Sequence, residues 1–282
     1  MPLSRRSLLQ SAAALALGSP AFARKGTLRI GVTDWNLKQT GKLEAVGLAK
    51  QLGFDGVQVS LGRTPVDGKL PLDDAALQAQ YIAEAQQAGI VIDGTCLDIL
   101  HVNYLKNDKL GQKWVADGIR ATKGLKTKVM LLPFFGKGAL QTPQEMETVA
   151  GVLRELSPEA EKAGVILGLE DTISAEDNAR IMDRAGSKAI SVYYDVGNST
   201  RNGFDVIKEI RWLGAKRICQ FHLKDNPNYL GEGKIDFPMI LHTIASMDYQ
   251  GYANLETDSP SKSVEADMKR NLSYLRRLLE EA

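Results

Sequence analysis

The helix-to-strand junctions of this chain repeat a common wording: Leu52-Gly53-Phe54-Asp55-Gly56-Val57, Ala88-Gly89-Ile90-Val91 and Ala163-Gly164-Val165-Ile166. In each, an amphipathic stretch stops at glycine and a β-rich run begins almost at once. Glycine closes helices in a conformation other residues resist, and Gly186 and Gly214 read the same way. The candidate strands are residues 28–32, 56–60, 90–95, 128–132, 165–169, 191–194, 217–221 and 252–255. Helical periodicity falls between and after them, for example over 42–52, 74–88, 143–163 and 263–279. Eight β-then-α units imply a parallel sheet, and eight parallel strands close naturally into a (β/α)8 barrel. A doubly wound open sheet would carry a glycine-rich nucleotide turn after its first strand, where this chain has Val32-Thr33-Asp34-Trp35-Asn36.

Nothing divides the barrel-forming region. With 282 residues, 44% apolar and 24% charged, the chain suits one α/β domain, and no linker or low-complexity tract interrupts residues 24–282. The segment before it reads differently. Arg5-Arg6 precedes the mostly apolar residues 8–17, and Ala21-Phe22-Ala23 supplies an A-x-A cleavage pattern. That layout is a secretory signal of twin-arginine type over residues 1–23. It predicts a mature protein released to the periplasm or secreted, with no stable membrane anchor. The charge is balanced at net +1 and no basic run appears, which argues against a nucleic-acid partner. Cys96 and Cys219 lie in strand-like runs and read as two core thiols rather than a disulfide. A homo-oligomer is compatible with the sequence, which does not specify one.

The chemistry gathers at the ends of the last four candidate strands. Glu170, Asp195, His222 and Glu256 each follow an apolar run directly. Strand residues two apart share a face. Gly168 and Ile166 therefore go with Glu170, Tyr193 and Ser191 with Asp195, Gln220 and Ile218 with His222, and Asn254 and Tyr252 with Glu256. The opposite faces, including Leu167, Val192, Cys219, Phe221 and Leu255, are nearly all apolar and belong under the helices. The four polar ends then converge on the carboxyl-terminal mouth, where barrel active sites lie. Three carboxylates crowded there repel unless a cation sits among them. One imidazole with three carboxylate oxygens suits one divalent ion: Mn2+, Co2+, Mg2+ or Zn2+.

The same residues carry a family resemblance. Gly168-Leu169-Glu170, Tyr193-Tyr194-Asp195-Val196-Gly197-Asn198, Phe221-His222-Leu223-Lys224-Asp225, Leu230-Gly231-Glu232-Gly233 and Tyr249-x-Gly251-Tyr252-x-x-x-Glu256 resemble the xylose isomerase-like barrel superfamily, in its sugar isomerase/epimerase branch. The resemblance implies that Glu170, Asp195, His222 and Glu256 bind the metal. It further implies that Glu170 and Glu256 move protons on opposite faces of a sugar next to its carbonyl. Where epimerases of this kind commonly have a histidine three residues after the metal Asp, this chain has Asn198. Where they carry an arginine shortly after the metal His, it has Lys224 and Asp225. A related branch, the three-metal apurinic endonucleases, needs more histidines than the three present.

Further candidates for the sugar or glycoside substrate are Trp35 as a stacking ring, His101 after the third strand, Glu176, Asn198, Lys224 and Asp225. Each has a plainer role available: packed or loop residues for Trp35 and His101, a helix N-terminal carboxylate for Glu176, a surface lysine for Lys224. The loop Gly231-Glu232-Gly233-Lys234 has the composition to approach a phosphate but reads more simply as a flexible loop. The functional expectation is a sugar isomerase or epimerase. Its rivals are a lyase that expels the aglycone of a 3-keto-glycoside, and a sugar-binding barrel without catalysis.

Overall fold

The computed structural model describes residues 28–281, so the export signal expected over residues 1–23 lies outside the described residues. Eight strands, β1 (Arg29–Thr33), β2 (Gly56–Ser60), β3 (Val91–Cys96), β4 (Val129–Pro133), β5 (Ile166–Glu170), β6 (Ile190–Asp195), β7 (Ile218–Leu223) and β8 (Tyr252–Leu255), fall within two residues of the runs read from sequence. They pair in chain order, all parallel, and β8 returns onto β1 to close the barrel. Around them lie α1 (Glu44–Leu52), α2 (Ala75–Ala88), α3 (Lys109–Gly124), α4 (Pro143–Ala163), α5 (Ala175–Ala185), α6 (Val196–Arg201), α7 (Val206–Leu213), α8 (Phe237–Ser246) and α9 (Val264–Glu281). Among the described residues no helix is long and apolar enough to cross a membrane.

Local chemistry sets the helix limits. Thr142 and Glu145 form a reciprocal capping box at the start of α4, with Pro143 in the first turn where its missing N–H costs nothing. Gly164 closes the same helix at φ 72°, donating its N–H to the carbonyls of Ala160 and Glu161. Chain reversal into β5 is immediate.

The barrel has two chemically distinct faces. Ile30, Val32, Val57, Val59, Leu167, Leu169, Val192, Phe221 and Leu255 pack outward with helix residues in one apolar layer. Inside, Gln58, Asp93, Tyr193, Gln220 and Asn254 are buried and hydrogen-bonded to one another.

Two register shifts depart from simple alternation. Between β2 and β3 the pairing steps from Val57↔Ile92 to Gln58↔Gly94, and between β6 and β7 from Val192↔Ile218 to Tyr193↔Gln220. The extra residues are Asp93 and Cys219. Alternation had put Ile218 inside and Cys219 outside. Instead Ile218 joins the apolar layer, while Cys219 packs inside against the group of Cys96, Val129, Leu131 and Tyr193. A bulge re-aims one side chain without breaking the sheet. Both cysteines are free thiols.

Candidate active site

Each member of the predicted cluster is delivered by a strand terminus. Glu170 ends β5, Asp195 ends β6, His222 is the penultimate residue of β7, and Glu256 follows β8. One ligand atom from each can be chosen so that all four lie within 4.8 Å of one another. His222 Nδ1 is 2.9 Å from Glu170 Oε1, 3.5 Å from Glu256 Oε2 and 3.8 Å from Asp195 Oδ2. His222 is fully buried, and Glu170 and Asp195 nearly so.

Asp195 divides its two oxygens between structure and site. Oδ1 accepts the backbone N–H of Asn198 at 2.8 Å and caps α6. Oδ2 is buried and paired with the Lys224 ammonium at 2.6 Å, with His222 Nδ1 further off at 3.8 Å. Lys224 Nζ also donates to Glu256 Oε2 at 2.5 Å. Gly197 makes this possible: a methyl group there would come within 3.1 Å of the Lys224 carbonyl oxygen and collide with its stem.

The charges are strongly perturbed. Burial raises Glu170, and the neighbouring Glu256 charge adds to it. Burial likewise raises Asp195, reinforced by Glu256 and Glu170 and opposed by Lys224. Burial also pushes Glu256 up, but the His222 ring, the Lys224 ammonium and the Trp35 N–H outweigh it and hold its carboxyl below the usual range. Burial opposes the charge on Lys224, yet Asp195, Glu256 and Glu170 more than offset it and keep the ammonium charged. The His222 imidazole is lowered, chiefly by burial. Crowded carboxylate oxygens around one imidazole whose charging burial opposes, already drawing a positive charge in Lys224, fit a divalent cation of the oxygen- and nitrogen-preferring kind.

A cavity of about 350 Å3 opens over this cluster, a size suited to a small ligand. Glu170, Glu256, Asn198, Lys224, Trp35 and His101 line it, joined by Arg63, Cys96, Asp98, Leu131, Pro133 and Phe135. Trp35 Nε1 donates to Glu256 Oε1 at 3.0 Å, and its ring meets the His222 ring edge-on at 5.9 Å. His101 stacks on Phe135 with ring centroids 6.2 Å apart. Asn198 Nδ2 reaches Glu170 Oε1 at 3.5 Å.

Two candidates stand elsewhere. Glu176 is exposed in the first turn of α5 and does not line the cavity. Asp225 is buried beneath the loop after β7 and accepts the Gly233 N–H at 2.9 Å, with further backbone donors from Gly231, Lys234 and Ile235. The loop amides that composition suggested for a phosphate are turned onto this carboxylate. Sequence reasoning passed over Arg63, Asp98 and Phe135. Asp98 is half-buried, accepts a hydrogen bond from Ser60 Oγ, and is raised chiefly by desolvation. Its position two residues after β3 was the available signal.

A closed parallel barrel with a Glu-Asp-His-Glu cluster on its strand ends, under a ligand-sized cavity, defines a β/α-barrel protein with a cation-competent mouth. The chain belongs to the xylose isomerase-like TIM barrel family, whose model matches residues 46–278. It is 27% identical over 205 residues to a 2-epi-5-epi-valiolone 7-phosphate 2-epimerase from an Actinoplanes species, spanning 71% of this chain and 74% of that one. Its fold is similar to that of 3-keto-D-glucoside 4-epimerase from E. coli, with a TM-score of 0.71, 19% identity and coverage of 89% and 99%. D-psicose 3-epimerase from Clostridium cellulolyticum H10, in a structure with D-tagatose, gives a TM-score of 0.75 at 16% identity, with coverage of 89% and 99%.

Proposed function

We propose that this chain is a divalent-metal-dependent sugar epimerase or isomerase acting on an unphosphorylated sugar, keto-sugar or glycoside. The observation that carries the reading is the pair Glu170 and Glu256. They come from strand ends three strands apart round the barrel, both line the cavity, and both belong to the cation cluster. When bound, a divalent cation polarises a sugar carbonyl and acidifies the adjacent C–H. The residues do the rest. One glutamate, as carboxylate, takes the proton from one face, and the other, as carboxylic acid, returns a proton to the opposite face, inverting the centre. Trp35 fixes the Glu256 carboxylate through its indole N–H, and Asn198 reaches Glu170. Although the Actinoplanes relative is named for a phosphorylated compound, the amides of the loop after β7 are here engaged by Asp225, which supports a substrate without phosphate.

The test is incubation of the Mn2+-loaded protein with keto-sugars and 3-keto-glycosides in D2O. Wild type is expected to introduce one deuterium at the inverted carbon, with Glu170→Gln and Glu256→Gln each at least about 100-fold slower. Turnover unimpaired in both variants, or binding without conversion, rules this reading out; aglycone release without inversion selects elimination instead.

The same reading puts the reaction outside the cytoplasm, supported by Arg5-Arg6 ahead of residues 8–17 and by Ala21-Phe22-Ala23. Replacing both arginines by lysine is expected to retain the protein in the cytoplasm, as fractionation would report. Unchanged export of the double variant would reject it.

A further inference from the structure

The ring nitrogen of His222 that faces away from the cluster meets a network reaching the opposite end of the barrel interior, and the network's donors and acceptors can be ordered one after another. Gln58 Nε2 lies 3.3 Å from the carbonyl oxygen of Thr95, a group that only accepts, so this nitrogen donates and Gln58 Oε1 points the other way. That oxygen lies 2.8 Å from His222 Nε2 and 3.1 Å from the Tyr193 hydroxyl. An amide oxygen only accepts, so both neighbours donate to it.

Two consequences run in opposite directions from Gln58. Towards the mouth, His222 carries a proton on Nε2, so that Nδ1, 2.9 Å from Glu170 Oε1, is the nitrogen whose lone pair faces the cluster when the ring is neutral. Towards the floor, Tyr193 donates its O–H to Gln58, and its oxygen accepts from Asn254 Nδ2 at 3.2 Å. The same nitrogen donates to Asp93 Oδ1 at 2.9 Å, as does Gln220 Nε2 at 2.9 Å. The remaining oxygens, Asn254 Oδ1 and Asp93 Oδ2, are buried with no partner of their own. Both border the space above Gly31, where a methyl group would collide with each of them. Two acceptors turned to the same buried spot repel unless one carries a proton. Of the two, only the carboxyl can.

We propose that Gln58 is a positioning residue for the metal site, fixing His222 as the Nε2–H tautomer, and that its own orientation is locked from the floor by a protonated Asp93 paired with the Asn254 amide. This rests on reading Glu170, Asp195, His222 and Glu256 as the cation site. The bulge at Asp93 and the missing side chains of Gly31 and Gly56 give the acid its room. Burial pushes the Asp93 carboxyl up to about 7, against the pull of the Asn254 and Gln220 donors. A carboxylic acid facing an amide donates with one oxygen and accepts with the other, so the pair satisfies both groups at once. Metal-ligating histidines are commonly oriented through their second nitrogen by a carboxylate or a carbonyl; here a glutamine side chain has that place.

The chain has only three histidines, His101, His222 and His242, so 15N-histidine labelling resolves each tautomer directly. The full chain is examined with Mg2+ absent and present, His222 being assigned by comparison with His101→Gln and His242→Gln. Wild type is expected to show a protonated Nε2 on His222 in both states. Gln58→Leu is expected to lose that signature and to weaken Mn2+ binding about 10- to 100-fold. Gln58→Glu, which keeps an accepting oxygen in place, restores both and guards against a folding defect in the leucine variant. Infrared difference spectra of wild type minus Asp93→Asn at pH 6 are expected to contain the band of one protonated carboxyl group. A protonated Nδ1 on His222 in wild type, full Mn2+ affinity in a folded Gln58→Leu, or no carboxylic acid band overturns the proposal. Wild type that binds no divalent metal would instead undo the cation-site reading while leaving the tautomer result standing.

Discussion

Asp195 works through two oxygens with separate employments, and that separation can be tested. Oδ1 holds the first turn of α6, whereas Oδ2 faces Lys224 and the cluster. Asp195→Asn keeps an oxygen for the cap and removes the charge. It is expected to lose at least about ten-fold in Mn2+ affinity while melting close to wild type in chelator. Asp195→Ala loses both, with a further ~1 kcal/mol of stability from the missing cap. Calorimetric titration with thermal unfolding separates the two effects; equal melting of both variants would show that the cap contributes nothing. Glu170 and Glu256 illustrate the same point across two residues. Identical side chains are driven in opposite directions: burial and the Glu256 charge raise Glu170, whereas the His222 ring, the Lys224 ammonium and the Trp35 N–H outweigh burial at Glu256.

At the scale of elements, strand ends made the site legible in the sequence. Glu170, Asp195, His222 and Glu256 each close an apolar run, and one-residue errors in strand limits do not change where a terminal side chain emerges. Glycine punctuation likewise located α2 and α4 closely, since a helix ending at Gly89 or Gly164 leaves little choice of where it stops. The bulges were not legible. An inserted residue at Asp93 or Cys219 changes pairing partners, and pairing is set between strands rather than within one. Arg63, Asp98 and Phe135 lie in βα connections whose course depends on tertiary packing. Asp225 shows the same limit, for no local pattern announces that residues 231–235 will fold back onto that carboxylate. Gln58 was more accessible: one amide amid Gly56-Val57-Gln58-Val59-Ser60, in a strand buried along its whole length, needs internal partners.

For the whole molecule, buried acids give stability a predictable pH dependence. Burial lifts Asp34, Asp93 and Asp171 to about 7 each, and Glu170 and Asp195 are raised as well. The folded chain therefore keeps protons that the unfolded chain has released. The unfolded state binds fewer protons between roughly pH 4 and 8, the upper limit being set by Glu170 at about 8, so stability falls as pH rises through that window. Glu256, shifted the other way, loses its contribution only in acid and does not oppose the trend at neutral pH. Chelator-treated protein is expected to melt at progressively lower temperature from pH 5.5 to 8.5. Added Mn2+ should recover more at pH 8.5, where the acids of the cluster no longer hold protons against it. Rising stability over that range would contradict the assignment of these carboxyls.

Lys224 gives the cluster an incumbent. Any ion that settles between Asp195 Oδ2 and Glu256 Oε2 meets an amine already anchored to both oxygens by the protein's own chain. On the proposed cation-site reading, metal uptake would exchange a tethered charge for a diffusible one, and an affinity would measure the difference between two occupants. A pocket that supplies its own counter-charge can assemble before its ion arrives.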